Sequence, residues 1–220
     1  MKFILKRIFS PFLKKASSLY LRKPRNFSYN GISVMVMPSV FPPFMTHSTK
    51  ILVDFITPIE LSGKTFLELG CGCGIVSISA AKKGAIVTAT DINETALTAL
   101  EKNGGINDVK LDILYSDLFQ NLHERYYDFI IINPPYYPRN PKSIGENAWF
   151  CGEDFNYFEN LFLQLPQFTT LDNQIYMILS EDCALEKIEA IALKNGMVFN
   201  SILEKKVVGE KNYIFKIARL

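Results

Sequence analysis

The sequence predicts a doubly wound α/β fold, in which a mainly parallel sheet carries helices on both of its faces. Apolar runs of strand length alternate with helical patterns from residue 65 to the C-terminus, an order typical of parallel sheets. A glycine turn closes the first of these runs, and polar residues stand directly after several of the others. Ligands bind at the carboxyl ends of the strands in such sheets. These polar residues are therefore the candidates for a site.

The predicted elements follow from the spacing of apolar residues and from the Gly and Pro residues between them. Strands are expected at 65–69, 85–90, 109–115, 127–132, 174–179, 197–203 and 213–218. Helices are expected at 75–83, 94–102, 155–165 and 184–194, and a further one begins at Thr49 and ends at Pro58. Upstream of these, residues 27–50 form a connector in which residues 31–37 are predicted as a strand or one arm of a hairpin.

Composition indicates one globular domain with a large core, because 48% of the 220 residues are hydrophobic. The chain contains no apolar run of bilayer-spanning length and no secretory signal pattern, so a soluble, cytoplasmic protein is expected. Its four cysteines lack the spacing of a zinc site or a disulfide framework. We therefore predict reduced cysteines and no metal site.

Charge is distributed unevenly along the chain. Residues 1–50 hold nine of the 24 Lys and Arg residues and none of the 22 Asp and Glu residues, so the remainder carries 15 basic against 22 acidic residues. Within 1–35, helical spacing of apolar residues predicts a basic helical extension, and 36–220 are predicted to form the main domain. The basic face is a candidate contact for RNA, the ribosome, an acidic partner or a membrane surface. A solvated face and an organellar targeting peptide are the alternatives.

The stretch from Thr65 to Gly74 is predicted as a buried strand that runs into a glycine turn. Gly70, Gly72 and Gly74 alternate with other residues, and glycine allows both a tight turn and the close approach of a ligand. A dinucleotide-binding fingerprint would place its third glycine at position 75, which is Ile. The alternative is a turn whose glycines serve backbone geometry alone.

Acidic residues stand at the ends of the next two predicted strands. Asp91 follows the second strand, at about the 20-residue distance from the glycine turn expected of a carboxylate that accepts both ribose hydroxyls of a nucleoside. Its alternative role is to cap the helix that begins near Asn93. Asp117 follows the third strand at the same edge of the sheet, and it could equally be a turn or capping residue.

The segment Asn133-Pro134-Pro135-Tyr136 comes directly after the apolar strand that ends at residue 132. Its prolines stiffen the backbone and bias Asn133 toward an extended conformation. The amide oxygen of Asn133 and the carbonyl of Pro134 would then offer two acceptors to one planar –NH₂ group, with Tyr136 as an aromatic wall. Hydrogen bonds to both hydrogens would return electron density to a nitrogen whose lone pair is delocalised. The pattern therefore predicts chemistry on an amide or aromatic amine.

In order and spacing, these motifs resemble those of class I S-adenosylmethionine-dependent methyltransferases. From about residue 36 to the end, the chain is similar to the HemK-like protein-glutamine N5-methyltransferases. The resemblance implies a Rossmann-like seven-stranded sheet whose last strand is antiparallel, and S-adenosylmethionine as cofactor. It also implies that Asp117 faces the adenine amino group. The implied cofactor-binding residues are Glu68, Gly70, Gly72, Gly74, Asp91, Asp117 and Asn133, and the implied catalytic residues are Asn133, Pro134 and Tyr136.

Two segments depart from the family pattern. Residues 148–154 are similar to its A-x-x-G-G-x-D/N-G segment, but Cys151 and Phe155 stand where glycines are usual. Before the helix at Thr49, the family's acidic residues are replaced by Thr46-His47-Ser48. The expected function is N-methylation of a glutamine side chain in a translation-related protein. Alternatives are methylation of an exocyclic amine of adenine or guanine in tRNA or rRNA, and a cofactor-binding module without catalysis.

Overall fold

The computed structural model describes residues 22–122 and 126–220, and its central element is a seven-stranded sheet. The strands of this sheet are β3 (Thr65–Leu69), β4 (Ile86–Asp91), β5 (Asp112–Tyr115), β6 (Phe129–Ile132), β7 (Gln174–Ser180), β8 (Met197–Val207) and β9 (Glu210–Arg219). The helices are α1 (Ser48–Ile56), α2 (Ile75–Lys82), α3 (Glu94–Ile106), α4 (Asn156–Gln164) and α5 (Leu185–Lys194), with short 3-10 helices at Ile144–Ala148 and Leu165–Phe168.

The strand order is β5-β4-β3-β6-β7-β9-β8. All pairings from β5 to β7 are parallel, whereas β9 runs antiparallel to both β7 and β8. The parallel part places the ends of β3, β4, β5 and β6 at one edge, as the alternation of strands and helices predicts. The predicted doubly wound fold and its antiparallel last strand are confirmed.

Helices cover both faces of the sheet, and each face has its own hydrophobic core. On one face α4 and α5 pack through residues such as Phe158, Phe162 and Ile188. On the other, α1, α2 and α3 pack through residues such as Leu52 and Ile78. Successive strand residues point to opposite faces, so the fully buried run of β6 supplies both cores in alternation. This accounts for its continuous apolar sequence.

A two-stranded hairpin, β1 (Arg25–Tyr29) and β2 (Ile32–Val36), lies beside the face that carries α1 to α3. The buried side chains of Ile32, Val34 and Val36 belong to that core. The predicted boundary after residue 35 falls within β2, so the described part of the predicted extension includes strand structure that packs on the domain. The predicted amphipathic helices of the extension lie outside the described residues.

Helix α3 extends beyond its predicted end at residue 102, through Gly104 and Gly105, to Ile106. Two asparagines explain the extension because their side chains bond to the β2 backbone. Asn103 Oδ1 accepts from the Met35 amide at 2.8 Å, and Asn107 Nδ2 donates to the Ser33 carbonyl at 2.7 Å. These tertiary contacts outweigh the low helix propensity of the glycines. In residues 22–122 and 126–220, no helix is long and apolar enough to cross a membrane.

Candidate functional site

A cavity of about 390 Å³ opens at the carboxyl ends of the central parallel strands. Its volume falls in the range of small-molecule sites, about 300 to 1,000 Å³. The predicted site residues that line it are Glu68, Gly70, Gly72, Asp91, Asp117, Asn133, Pro134 and Tyr136. Gly74 does not line it. Residues that are distant in sequence and chosen from separate motifs are therefore brought to one cavity.

The loop after β3 adopts a backbone that favours glycine. Gly70 has a φ of 72° and Gly72 a φ of 53°, values at which an L side chain is strained. The amides of Gly70 and Cys71 both donate to the Thr90 carbonyl at 2.9 Å, which ties the loop to the end of β4. A Cβ atom on Gly70 would meet nothing within 4 Å. The loop therefore presents bare backbone to the cavity.

Asp91 is held by backbone amides on both of its carboxylate oxygens. Its Oδ2 accepts from the Gly72 amide at 2.9 Å and its Oδ1 from the Asn93 amide at 2.9 Å. Burial raises its pKa, and these amide bonds oppose the shift. Each oxygen keeps a second lone pair, so the carboxylate can still accept hydroxyl groups from the cavity. Asn93, not Asp91, caps α3, since its side chain accepts from the Thr95 amide at 3.0 Å.

Glu68 is a buried carboxyl group beneath the glycine loop. Its Oε2 accepts from the Ser77 amide at 2.8 Å and from the Ser77 hydroxyl, so it also holds the first turn of α2. Burial raises its pKa to about 8, and the bonds from Ser77 oppose the shift. Folding therefore favours the neutral, protonated form of Glu68.

We expect replacement of Glu68 by glutamine to change the pH dependence of stability. The pKa of Glu68 rises from its usual 4.5 to about 8 on folding. The contribution of this shift to the free energy of unfolding is therefore full below pH 4.5 and is lost as the pH rises toward 8. Glutamine stays neutral at every pH. The melting temperature of Glu68→Gln should therefore rise relative to that of wild type as the pH increases from 4.5 to 8. Each pKa unit corresponds to about 1.4 kcal/mol, or a few degrees for a chain of about this size.

Melting curves between pH 5 and pH 9 would measure the difference, with Glu101→Gln on the exposed face of α3 as the control. The Glu101→Gln curve should run parallel to that of wild type. A Glu68→Gln curve that also runs parallel would contradict the assignment of a neutral Glu68.

Asp117 lies beyond β5, where its exposed side chain lines the cavity. Tyr157, at the start of α4, also lines the cavity. Burial, and then the charges of Asp117 and Asp91, raise the pKa of Tyr157. The hydroxyl of Tyr157 therefore stays protonated at neutral pH. Sequence reasoning missed Tyr157 because its position is an ordinary one in an amphipathic helix.

The Asn133-Pro134-Pro135-Tyr136 segment leaves β6 at the edge of the cavity. Asn133 is half-buried and Pro134 is buried. The ring of Tyr136 lies 4.7 Å from that of Tyr137, between ring centroids. Burial raises the pKa of Tyr136, so this side chain is a neutral aromatic wall. Asn133 therefore reaches the cavity from the strand next to the one that ends in the glycine loop.

Two stretches of chain outside the predicted site residues complete the cavity. Ser39, Val40 and Phe41 line it from the loop between β2 and α1, and residues 147–152 line it from the segment after β6. The rings of Phe41 and Trp149 are 4.9 Å apart. The family-like segment at 148–154 was a sequence signal for the second loop, whereas the first carried only its prolines.

The residues present fit an S-adenosyl nucleoside. The Asp91 carboxylate has lone pairs for a ribose diol, and the loop at Gly70 and Gly72 leaves room for close approach of a ligand. In the part of the chain that the structure describes, no group of three or more His, Cys, Asp or Glu side chains could hold a metal ion. Aromatic side chains and the amide of Asn133 also line the cavity.

This fold and site define a class I S-adenosylmethionine-dependent methyltransferase. Residues 32–147 match the methyltransferase small domain family, and the chain belongs to that family. The predicted class of protein and its cofactor are thereby confirmed.

Two sequence relatives and one solved structure illustrate the range of similar proteins. A Methanocaldococcus jannaschii protein, provisionally named a protein N5-glutamine methyltransferase, is 36% identical over 109 residues, which cover 49% of this chain and 53% of that protein. A ribosomal protein L11 methyltransferase from Campylobacter concisus is 31% identical over 130 residues, covering 58% and 46%. The chain thus matches about half the length of these relatives.

The solved structure is the T. thermophilus 16S rRNA N2 G1207 methyltransferase in complex with AdoMet and guanosine. It superposes with a TM-score of 0.64 at 17% identity, covering 88% of this chain and 50% of the other. At this identity the likeness shows a shared fold.

Proposed function

We propose that the protein is an S-adenosylmethionine-dependent N-methyltransferase that acts on a planar amide or amine nitrogen, with a glutamine side chain of a translation-related protein as its substrate. The observation that carries the proposal is the cavity shared by Asp91, the glycine loop and Asn133. A nucleoside-binding carboxylate and a pair of acceptors for an –NH₂ group then serve one reaction. An intact Asn133-Pro134-Pro135-Tyr136 segment argues against a module that only binds cofactor.

The chemistry assigned to the chain is positioning and polarisation. Asn133 Oδ1 and the Pro134 carbonyl each accept a hydrogen bond from one N–H of the substrate –NH₂ group. These hydrogen bonds localise the lone pair on the nitrogen. Tyr136 packs against the planar group and orients that lone pair toward the cofactor side of the cavity. When bound, the cofactor supplies an electrophilic methyl group on a sulfonium. The gain in rate comes from orientation and electrostatic stabilisation.

A glutamine substrate is supported by the Asn133-Pro134-Pro135-Tyr136 segment and by the M. jannaschii relative. The second candidate is an exocyclic amine of adenine or guanine in tRNA or rRNA. It is supported by the aromatic rings of Phe41 and Trp149 at the cavity and by the basic residues of the first 50, since RNA bases stack on aromatic side chains. We propose a cytoplasmic location for the protein, and we propose that its basic N-terminal residues contact RNA or the ribosome.

Transfer of label from S-adenosylmethionine into separated protein and RNA fractions tests the proposal. Label in protein that is recovered as N5-methylglutamine supports the glutamine assignment, and label in RNA supports the second candidate. A chain without residues 1–21 keeps every described residue and serves as the companion variant. It should bind S-adenosylhomocysteine normally and methylate its macromolecular substrate less efficiently. Absence of label from both fractions would reject the proposed activity.

We expect Asp91→Ala to weaken binding of S-adenosylhomocysteine. Losing a charge-assisted hydrogen bond costs about 1.5 to 3 kcal/mol, which is about a ten- to hundredfold rise in the dissociation constant. Calorimetry measures the change, and Asp172→Ala, in the exposed loop before β7, is the control. Because Asp91 also accepts two backbone amides, a circular dichroism spectrum must show that the variant is folded. An unchanged dissociation constant in a folded variant would remove Asp91 from the cofactor site.

A further inference from the structure

Two aromatic side chains from separate loops meet at the cavity. Phe41 belongs to the loop between β2 and α1, and Trp149 to the segment between β6 and α4. Their ring centroids are 4.9 Å apart with an interplanar angle of 47°. Both side chains are half-buried and both line the cavity. Together they form a partly exposed aromatic surface; we call these two residues the aromatic pair.

The Phe41 loop is fastened to the cofactor side of the cavity. The Ser39 carbonyl accepts a hydrogen bond from Asn93 Nδ2 at 2.8 Å. The Asn93 amide in turn donates to Asp91 Oδ1 at 2.9 Å. A single asparagine therefore connects this loop to the carboxylate assigned to the cofactor.

The Trp149 loop is fastened to the side of the cavity that holds Asn133. The Tyr137 amide donates to the Trp149 carbonyl at 3.1 Å, and the Cys151 amide donates to the Tyr137 carbonyl at 3.0 Å. These bonds run beside the end of the Asn133-Pro134-Pro135-Tyr136 segment. They fix the backbone position of Trp149 relative to Tyr136.

The two loops also meet at a second point that leaves no room for a side chain. A Cβ atom on Gly145 would lie 3.1 Å from both Cα and Cβ of Ser39. This distance is shorter than ordinary van der Waals contact. The contact between the loops is therefore close at both the backbone and the aromatic pair.

We propose that the aromatic pair positions the planar group of the methyl acceptor, packing against its π-face while Asn133 holds its –NH₂ group. The inference rests on the proposed function, which it deepens by naming the residues that select a flat, delocalised substrate. An aromatic surface favours a group with a π-face. The hydrogen bonds described above connect the aromatic pair to Asp91 and to Tyr136. They therefore fix its position relative to both the cofactor side and the acceptor side of the cavity.

Kinetic variants separate positioning from a structural role. Phe41→Leu and Trp149→Leu should each raise KM for the methylated protein or RNA fraction about tenfold, with kcat changed less than about threefold. Trp149→Phe keeps an aromatic face and should restore most of the loss. Binding of S-adenosylhomocysteine should stay within about twofold of wild type. The control is Phe55→Leu, which removes a ring also 4.9 Å from its partner, Tyr176, but outside the cavity lining.

Fluorescence tests the pair without turnover, since Trp149 is the single tryptophan of the chain. Guanosine, adenosine and N-acetylglutamine amide would be titrated separately onto the protein saturated with S-adenosylhomocysteine. Saturable quenching by one of them, lost in Phe41→Leu and kept in Phe55→Leu, supports the inference. No saturable quenching in wild type overturns it, as does an unchanged KM in both leucine variants. Absence of methyl transfer together with saturable quenching would reject the proposed function alone.

Discussion

Replacement of Asn133 by alanine is expected to lower kcat by about 10²- to 10³-fold while leaving the affinity for S-adenosylhomocysteine nearly unchanged. Asn133 lines the cavity directly after β6, where its amide oxygen is assigned to the nitrogen under attack. Loss of one positioned contact of this kind typically costs about 2.7 to 4 kcal/mol in the transition state. Single-turnover rates with saturating acceptor would measure the loss, and calorimetry would measure the affinity.

Two further variants sharpen the Asn133 experiment. Asn133→Asp keeps an acceptor oxygen and adds a charge, so it should retain more activity than Asn133→Ala. Asn26→Ala removes an exposed asparagine from β1 and should behave as wild type. Full kcat in Asn133→Ala, or a methyl group found on carbon or oxygen of the product, would contradict the mechanism.

The parts of the site that the sequence predicted are those that depend on local order. A buried strand followed by glycines, an acidic residue after the next strand and an amide after another all lie at strand ends. The parallel topology alone brings strand ends to one edge. Asp91 and Asn133 could therefore be placed together without any knowledge of side-chain contacts.

The parts that the sequence did not predict depend on contacts between distant loops. The hydrogen bond from Asn93 to Ser39 joins residues 54 positions apart, and the Phe41–Trp149 contact is more distant still. The local spacing of apolar residues carries no information about contacts between residues so far apart in sequence. The predicted end of α3, at residue 102, was wrong for a similar reason. Asn103 bonds to the β2 backbone, 68 positions away, and this contact supports the helical conformation of the glycines that follow.

Strand β1 was not predicted, although the sequence contains a local signal for it. The Asn30-Gly31 dipeptide has φ values of 49° and 74°, as a tight hairpin turn requires. Read as such, it predicts the pairing of β1 with β2 that the structure contains. The polar composition of β1 concealed its strand character, since only alternate positions of this edge hairpin are shielded.

Replacement of Gly74 by alanine is expected to destabilise the protein by about 2 to 5 kcal/mol, from a strained backbone and an overpacked core. Gly74 has a φ of 77°, and a Cβ atom there would lie 2.0 Å from Leu100 Cδ1 and 3.0 Å from Leu100 Cγ. Leu100 is fully buried on α3, so it has little room to move. The close packing of the glycine loop against α3 is thus a steric reason for glycine at position 74, which does not line the cavity.

Urea unfolding of a double-mutant cycle separates the two causes. Gly70→Ala has nearly the same backbone strain, with a φ of 72°, but its Cβ would meet nothing within 4 Å, so it should lose only about 1 to 2 kcal/mol. Leu100→Ala removes the steric conflict at its own cost of about 2 to 5 kcal/mol. In that background Gly74→Ala should cost no more than Gly70→Ala does in wild type. An equal cost of Gly74→Ala in both backgrounds would show that contact with Leu100 is not the reason for glycine at position 74.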